Sequence, residues 1–517
     1  MISNKKKFIL LLIIIGFLVY FPSLFGNFIW DDEDFLYANQ FVKNFQVDKF
    51  FTSCATCGRG KISSYYRPIQ LFIYSLFYQL FGARPFFYHL LVIIFHLLAA
   101  VSLFIFLTNL LKKEKVSFLI ALFFLIHPLQ TEVVSYIAGL PDSLFVFFMF
   151  VSLYFYINPQ KKGASFFTLF FFVLSFLSKE TGLLTVFYFL LIKIFFKKGK
   201  KEIIFLSFLI GLFFYILRIT VFNFSDIKYF WGESIYAKSV FVRLATFFRN
   251  FFLYLSLIIF PKNLFMERDY SITILTYFFN PWTIGFFCFN FLILAAVYFL
   301  KNKETQALFL FSWLGFLLSL APYSGVILIN GIFYEHFLYL GLCFFFLFVL
   351  SFFQNFYKKK GFLIVLIIIV CLLIARSYLR QWEWIDNERF YRQTLFFAPK
   401  SLRVINNLGM TLSEKGKIDE AIAVYKKGIA IDDKNPNLYH NLANAFLQKK
   451  EDKETEKNYL KAIEADPNFI FSYYSLINFY LKKEEKEKLR EFLKQKALAN
   501  FPNNQDFLML YERVKRD

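Results

Sequence analysis

The chain has 517 residues, of which 58% are hydrophobic and 23% aromatic, and its mean hydropathy is +0.51. Long apolar runs recur as far as about residue 376, so the composition excludes an ordinary soluble protein and indicates a polytopic membrane protein. The net charge of +21 does not indicate a nucleic-acid partner. Much of the excess lies in short lysine clusters between the apolar runs, a pattern that fixes membrane topology.

The first predicted element is a membrane span at about 8–25, preceded by a lysine cluster at 4–7. It lacks a small-residue cleavage site, so we expect a retained span rather than a signal peptide. With the lysines in the cytosol, four consecutive acids at 31–34 lie at the outer mouth of this span. Crowded carboxylates raise one another's pKa values, so the acidic run is either a solvated loop or part of a reaction centre.

The first outer loop, from 26 to about 85, contains two further features. Cys54 and Cys57 in “CATC” predict a local disulfide or two free thiols, because a zinc site needs more ligands than are nearby. “YYRP” places Arg67 on the same side of the membrane as the acidic run. The amphipathic stretch that follows is expected to lie on the membrane surface.

Further spans follow the first outer loop. They are predicted at about 86–111, 116–138, 142–157, 164–178, 181–196, 203–222, 282–300, 306–322, 336–354 and 361–376. Residues 223–280 are interpreted as one external excursion with a short re-entrant or surface helix at 246–260, because no large lysine cluster follows that helix. About eleven spans result. The N-terminus is then cytosolic and the C-terminal tail lies outside.

The tail contains an internal repeat. Two units with the tetratricopeptide length of about 34 residues begin at Leu402 and Pro436, and they align Tyr425 with Tyr459. A third, degenerate copy covers about 470–505. Such arrays usually bind extended peptide, and a passive spacer is the alternative interpretation. We therefore predict an all-α protein with three segments, namely a polytopic membrane bundle at 1–376, a linker at 377–401 and a tetratricopeptide-repeat α-solenoid at 402–517.

Ionisable residues collect at the outer ends of the predicted spans, where their cost makes them functional candidates. They are Asp31, Asp32, Arg67, His127, Glu132, Asp142, Lys179, Glu180, Glu335 and His336. Group transfer from a lipid phosphate needs an acidic side chain to take the acceptor's proton and cations to hold the leaving phosphate. A helix cap or a local ion pair is the structural alternative for His127, Glu132, Asp142 and the Lys179–Glu180 pair.

Five stretches in chain order, followed by the repeats, resemble the transmembrane and tetratricopeptide-repeat O-mannosyltransferases, which belong to the C-type glycosyltransferase superfamily. The stretches are “FIWDDEDFLYANQ”, “YYRPIQLFIYSLFYQLFGARPFFYHLLVIIFHLLAA”, “HPLQTEVVSYIAGLPDSL”, “FLSKETGLL” and “YEHFLYLG”. The resemblance implies a C-type bundle, a polyprenyl-phosphate sugar donor, and transfer to a protein hydroxyl on the non-cytosolic side.

The resemblance also implies site residues. The positions that match the family's motifs are Asp31, Asp32, Tyr66, Arg67, His127, Glu132, Asp142, Lys179, Glu180 and Glu335. Three positions depart from those motifs. Tyr65 stands in place of a serine, “GLPD” lacks the arginine of “GRAD”, and His336 stands in place of an arginine. These departures concern the contacts to the donor phosphate.

Roles are assigned within this set. Asp31 is predicted to be the general base, because it emerges first from the span and matches the first acid of the family's pair. Asp32 is predicted to position the acceptor or to pair with a cation such as Arg67, and Glu33 and Asp34 to be solvated. The cations predicted to neutralise the donor phosphate are Arg67, Lys179 and His336. The residues predicted to complete donor and substrate binding are Tyr66, His127, Glu132, Asp142, Glu180 and Glu335.

No cofactor is expected. The acidic pair has the oxygen ligands that a divalent cation takes, but a single-phosphate leaving group does not need one. The implied partners are a polyprenyl-phosphate-linked sugar, membrane lipid and an acceptor protein held by the repeats, with no nucleic acid. The short tail and the Phe-, Ile- and Lys-rich composition point to a bacterial relative in the inner membrane, where mannose is not implied.

Two other interpretations remain open. An O-antigen ligase or polymerase can also carry repeats, but such enzymes lack an acidic pair directly after the first span. A non-enzymatic membrane-anchored scaffold or a transporter is the second. Transporters place ionisable groups near the middle of the membrane, whereas these collect at its outer edge, and a scaffold does not need the acids.

Overall fold

The computed structural model describes residues 4–222, 224, 234–353 and 359–516. Residues 223 and 225–233 of the predicted excursion, and residue 354 at the end of a predicted span, lie outside these ranges. The chain forms two compact units, one ending at Asp386 and one beginning at Asn387. All regular elements among the described residues are helical, so the prediction of an all-α protein is confirmed.

The first unit consists of helices of very different lengths. Its α-helices are Asn4–Tyr20, Gln40–Lys43, Val47–Thr52, Pro68–Phe81, Pro85–Leu111, Glu114–Ile126, Thr131–Ser135, Leu140–Tyr156, Ala164–Ser178, Thr185–Phe196, Lys201–Thr220, Ile235–Lys238, Val240–Ile259, Pro281–Tyr298, Lys303–Leu320, Tyr339–Phe352 and Lys360–Trp384. Short 3-10 turns connect several of them, among them Pro128–Gln130, Ile137–Gly139, Glu180–Leu184 and Glu335–Leu338.

Within the described ranges, nine helical segments are long and apolar enough to cross a membrane, or ten if one bent pair counts as a span. That pair is Glu114–Ile126 with Pro128–Ser135, bent by 52° where the proline ring cannot continue the helix. The predicted number was higher, about eleven. Two of the predicted spans are helices of only 15 and 12 residues, Ala164–Ser178 and Thr185–Phe196, and are shorter than the roughly 20 residues a span needs.

The short helix predicted at 246–260 is instead the C-terminal part of the 20-residue helix Val240–Ile259, which is long and apolar enough to span. The sequence interpretation began this helix at residue 246, after Arg243. In the structure Arg243 belongs to the helix, because its guanidinium donates to the carbonyl oxygens of Tyr236 and Ala237 at 3.1 and 2.8 Å. Paired in this way, the charge does not end the helix.

The long helices differ in how deeply they lie within the protein. Ile137–Tyr156 and Glu335–Phe352 are mostly buried, whereas Lys201–Thr220, Pro281–Tyr298 and Lys360–Trp384 expose most of their apolar side chains. Broad exposed apolar faces of this kind suit contact with lipid. The two buried helices begin at the segments that carry several of the predicted functional residues, so those residues are attached to the core.

The second unit is built from helix pairs. Its α-helices are Asn387–Phe397, Leu402–Glu414, Ile418–Ile431, Pro436–Gln448, Asp452–Ala465, Ile470–Lys482, Lys486–Phe492, Leu498–Asn500 and Gln505–Arg516. Small residues allow the paired helices to approach closely. At Gly409, for example, a Cβ would lie 2.3 Å from the ring of Tyr425. The predicted repeats therefore form as helix pairs.

The predicted boundaries of the linker differ from those in the structure. Lys360–Trp384 extends through the first part of 377–401, and Asn387–Phe397 occupies the second. Three buried tyrosines recur at the tetratricopeptide spacing of about 34 residues, namely Tyr391, Tyr425 and Tyr459. The helix Asn387–Phe397 thus continues the repeat register one helix earlier than the sequence pattern suggested. The linker was predicted to run from the end of the apolar run to the start of the first complete repeat. This helix lies between those two boundaries and was therefore assigned to the linker.

Candidate active site

One buried stretch, residues 131–142, contacts most of the predicted functional loops, and we call it the central segment. It comprises the short helix Thr131–Ser135, the turn Ile137–Gly139 and the start of Leu140–Tyr156, and every residue in it is buried. Gly139 is required for the compact turn, because a Cβ there would lie 2.5 Å from a carbonyl oxygen of the short helix. The central segment therefore has a fixed shape against which the loops pack.

Asp32 is anchored to the central segment. Its two carboxylate oxygens accept the backbone N–H groups of Ile29 at 2.9 Å and Ala138 at 2.8 Å, and its side chain is buried. Burial raises the pKa of Asp32 to about 8, and the two N–H donors oppose that rise. A carboxyl group so enclosed holds the acidic run in place and cannot reach an incoming acceptor.

Asp31 differs from its neighbour because it is only half-buried. The phenol of Tyr136, in the central segment, accepts the backbone N–H of Asp31 at 3.2 Å and is also hydrogen-bonded to the Asp31 side chain. Burial raises the pKa of Tyr136 well above its usual range, so the phenol stays protonated and can donate to the carboxylate. Asp31 is thus oriented by a neutral partner and remains accessible.

The remaining two acids of the run are paired rather than simply solvated. Glu33 accepts from Arg59 at 3.0 Å and Asp34 from Lys61 at 2.8 Å. Both cations lie in the hairpin formed by residues 54–65, whose first turn is closed by a disulfide between Cys54 and Cys57, one of the two states predicted for these cysteines. Exposed pairs of this kind contribute only about 0–1 kcal/mol each, so their effect is to hold the hairpin over the acidic run.

The same hairpin is connected to the segment that carries Arg67. The backbone N–H of Ala55 donates to the carbonyl of Tyr65 at 2.9 Å. The Arg67 guanidinium lies 4.4 Å from the ring centroid of Tyr65 and 5.4 Å from that of Phe35. Phe35 in turn donates its N–H to the carbonyl of Asp31 at 3.1 Å. Arg67 therefore packs on a residue that lies one helical turn after Asp31.

Arg67 also has spare hydrogen-bonding capacity. Its Nε is buried without a hydrogen-bond partner among the described residues. By contrast, the ammonium of Lys179 forms two bonds to Asp142, at 2.7 and 2.8 Å, and both side chains are nearly buried. Burial lowers the pKa of Lys179, Asp142 opposes that change, and the nearby positive charge of Arg67 adds to it. Arg67 is thus the cation whose charge is available to an anion.

Glu180 and Tyr66 hold the backbone around this cation. The carboxylate of Glu180 accepts the N–H of Tyr66 at 3.1 Å and lies 4.0 Å from Arg218. The Tyr66 ring stacks on Phe222 with centroids 4.8 Å apart, and Arg218 donates to the carbonyl of Ser64. The positions predicted as donor contacts here serve mainly to fix the loop that presents Arg67.

Glu132 and His336 form a second pair at the other end of the central segment. Nδ1 of His336 lies 2.6 Å from Oε1 of Glu132, and the second oxygen of Glu132 accepts the backbone N–H of Glu335 at 3.0 Å. Glu132 is buried, whereas a quarter of the His336 side chain is exposed. Only the imidazole of this pair can meet a substrate.

Glu335 is fully buried and accepts three hydrogen bonds. They come from Arg380 at 2.7 Å, from Arg268 at 3.3 Å and from the N–H of Phe265 at 2.8 Å. A carboxylate held in this way connects three segments of the chain, and its burial keeps it from contact with a sugar or a phosphate. Its contacts are those of a structural ion pair.

His127 is also used structurally. Its Nδ1 accepts the N–H of Leu129 at 3.3 Å, which caps the short turn after Pro128. Its Nε2 lies 3.0 Å from the carbonyl oxygen of Ile258, and the ring is buried. The contacts of His127 match the helix cap that was the alternative interpretation of this residue.

Two models of the tetratricopeptide repeat match the tail, one at residues 409–450 and one at 436–469. A protein O-mannosyl-transferase of Caenorhabditis elegans is 24% identical over 450 residues, which are 83% of this chain and 63% of that protein. A protein O-mannosyl-transferase of Homo sapiens is 28% identical over 179 residues, which are 32% of this chain and 19% of that protein. The chain therefore spans less than two thirds of the length of these curated relatives.

The alignment with the Caenorhabditis elegans protein covers 83% of this chain, which is more than the first compact unit alone contains. The chain is similar to protein O-mannosyl-transferases over most of its length. The resemblance derived from the five stretches is confirmed, and so are the tetratricopeptide repeats.

Several residues that shape the candidate site were missed in the sequence. Arg268 lay in the predicted excursion and Arg380 in the predicted linker, where no pattern connects either to Glu335. Tyr136 looked like an ordinary aromatic residue. Arg218 carried the one usable signal, since it is a cation at the outer end of an apolar run.

A divalent cation does not fit the acidic pair well. Both oxygens of Asp32 already accept backbone N–H groups, which leaves Asp31 as the one carboxylate of the pair that faces outward. Ca²⁺ and Mg²⁺ need several oxygen ligands, and one carboxylate supplies too few.

Proposed function

We propose that this protein is a membrane glycosyltransferase that moves a sugar from a polyprenyl-phosphate donor to a hydroxyl of an acceptor protein. The observation that carries the proposal is that Arg67 lies over Phe35, one helical turn after the half-buried Asp31, and that its Nε has no hydrogen-bond partner among the described residues. The similarity to protein O-mannosyl-transferases supports the same reaction class.

In this reaction the acceptor hydroxyl attacks the anomeric carbon of the donor sugar. Asp31 takes the hydroxyl proton, the bond between the anomeric carbon and the phosphate oxygen breaks, and its electron pair leaves with the phosphate. Arg67 holds that phosphate, and Lys179 supports it with a charge that Asp142 partly neutralises. Asp32 positions the loop, and the step needs no metal ion.

We place the reaction on the non-cytosolic side of a bacterial inner membrane. The support is the lysine clusters at 4–7, 112–115, 161–162 and 197–201, which face the cytosol when the first outer loop lies outside and the bent pair of helices counts as a span. The sugar is left open, because His336 replaces the arginine of the related enzymes at one phosphate contact.

Sugar transfer in isolated membranes tests the proposal. Membranes that contain the full chain are supplied with labelled mannosyl-phosphate and glucosyl-phosphate polyprenols and a short peptide rich in serine and threonine. Label should enter the peptide with at least one donor, and membranes without the chain should give none. Equal labelling in the two membranes, or none in either with all donors, would refute the function.

The two cations of the site should differ in their effect on donor use. Arg67→Ala should raise the donor concentration needed for half-maximal rate more than Lys179→Ala does, because the charge of Lys179 is already shared with Asp142. We expect roughly tenfold for Arg67, since a charged hydrogen bond contributes about 1.5–3 kcal/mol.

The matched control for this comparison is Arg59→Ala, which removes an arginine from the same loop but only an exposed pair with Glu33. It should leave donor dependence unchanged. A larger effect from Lys179→Ala than from Arg67→Ala would reverse the assignment of the phosphate cation.

The repeats are proposed to hold the acceptor protein near the site, which raises its local concentration. A chain that ends at Asp386, where the first compact unit ends, should then still glycosylate a short peptide. It should glycosylate a folded or full-length acceptor protein much less than the full chain does. Equal loss with both acceptors would mean that the repeats act on the membrane unit itself and not on the acceptor.

A further inference from the structure

The Glu132–His336 pair has the geometry of a carboxylate-oriented imidazole. The carboxylate is buried and fixed by the backbone N–H of Glu335, so it is not free to follow the ring. Its bond to Nδ1 at 2.6 Å selects the ring form that carries a proton on Nδ1. That leaves Nε2 as the nitrogen that faces outward, and no described residue is hydrogen-bonded to it.

His336 belongs to the same site as the phosphate cations. Phe337, the next residue, stacks on Tyr323 with ring centroids 3.8 Å apart, and the ammonium of Lys179 lies 6.0 Å from the centroid of Tyr323. At the other side, Glu132 and Tyr136 are four residues apart in the central segment, and Tyr136 contacts Asp31. The imidazole and the general base are thus held by the two ends of one short helix.

We propose that His336 is the general acid of the reaction and that Glu132 is its positioning residue. This inference rests on the proposed function and adds a proton donor to it. As the bond between the anomeric carbon and the phosphate oxygen breaks, the electron pair stays on the phosphate. The imidazolium then gives its Nε2 proton to that phosphate. The proton of the acceptor hydroxyl goes to Asp31, so one proton is taken and one is given.

Charged and aromatic groups surround the ring. Glu132 supplies a negative charge at Nδ1, and the Tyr334 ring stacks on the imidazole with centroids 5.2 Å apart. The carboxylate of the preceding residue, Glu335, is paired with Arg268 and Arg380. A proton donor in place of the related enzymes' arginine makes the leaving-group contact dependent on pH, since an arginine does not lose its proton in this range.

The pH profile of sugar transfer by the full chain in membranes tests this role. With a mannosyl-phosphate polyprenol and a short peptide, the wild-type rate should fall on the alkaline side as the imidazole loses its proton. His336→Gln should lower the rate near neutral pH by roughly 10²-fold and remove that alkaline fall. His336→Arg should recover part of the rate and show no alkaline fall either, because its charge persists.

Glu132→Gln tests whether Glu132 positions His336 or only stabilises the fold. It should move the alkaline fall to lower pH, because the negative charge that favours the protonated ring is gone, and a purely structural loss would lower the rate equally at every pH. The inference would be overturned, without the proposed function, by either of two results. One is that the rate of His336→Gln still falls at alkaline pH as in the wild type, and the other is that the pH profile of Glu132→Gln is unshifted. Wild-type membranes without any transfer would overturn the proposed function and this inference together.

Discussion

Replacing Asp31 by asparagine is expected to slow sugar transfer by roughly 10²–10⁴-fold, or about 3–5 kcal/mol of barrier, while the donor still binds. Asparagine keeps the size of the side chain and its hydrogen bond to Tyr136 but cannot take a proton. The donor concentration for half-maximal rate should stay unchanged, because the phosphate contacts lie on other residues. The measurement is transfer from a labelled polyprenyl-phosphate sugar in membranes with equal amounts of each chain.

Glu33→Gln is the matched control for that experiment. It removes one charge from the same acidic run, but Glu33 is partly exposed and paired with Arg59. It should therefore change the rate little. Asp32→Asn is less suitable, because it disturbs the loop through Ile29 and Ala138. Near-wild-type turnover by Asp31→Asn would show that the base lies elsewhere.

Arg380→Met is expected to destabilise the membrane unit by about 3–5 kcal/mol, because it leaves part of a fully buried ion pair unpaired. Arg380 is 1% exposed and donates to Glu335, to Glu383 and to the carbonyl of Leu264. The measurement is the temperature at which the detergent-solubilised protein unfolds, followed by its intrinsic fluorescence. A large decrease is expected.

Two further variants test whether the loss of stability in Arg380→Met comes from its buried ion pair. Arg376→Met removes an arginine one turn earlier on the same helix. Among the described residues Arg376 pairs only with Glu383, at 3.2 Å, and it is partly exposed, so this change should cost little. Glu335→Met combined with Arg380→Met removes both charges of this pair, although Arg268 then loses its carboxylate, and should cost less than the sum of the two single variants. A double variant as unstable as the sum of the single variants would show that the pair is not coupled.

The apolar runs and the repeat spacing predicted most of the fold, because hydrophobic length and period are encoded locally. These patterns did not predict the correct helix limits where a charged residue lies inside a helix. Arg243 lies inside Val240–Ile259 because backbone carbonyl groups satisfy it, and no local pattern announces such a contact. The helix Asn387–Phe397 was missed because it is only half of a repeat. Its Tyr391 is recognisable as a repeat position only when its spacing to Tyr425 and Tyr459 is compared.

The candidate site was predictable in part for a similar reason. The positions at the outer ends of the spans could be identified because ionisable residues are costly there. Their partners could not, since Glu335 meets Arg268 and Arg380 only after distant segments have packed. Which acids are exposed and which are buried also depends on tertiary packing. The sequence therefore could not predict that Asp31 is half-buried and Asp32 is buried.

The shape of the central segment has a consequence for how the two halves of the reaction can vary. The groups that orient the base and the proposed acid, and the anion that shares the charge of Lys179, belong to one rigid stretch. A substitution at any buried position of the central segment should displace these three groups together. The effects of two such substitutions should therefore be strongly non-additive, and each should change both turnover and donor affinity. Selection for a new sugar or acceptor is therefore confined to the surrounding loops, where one contact can change while the others keep their alignment.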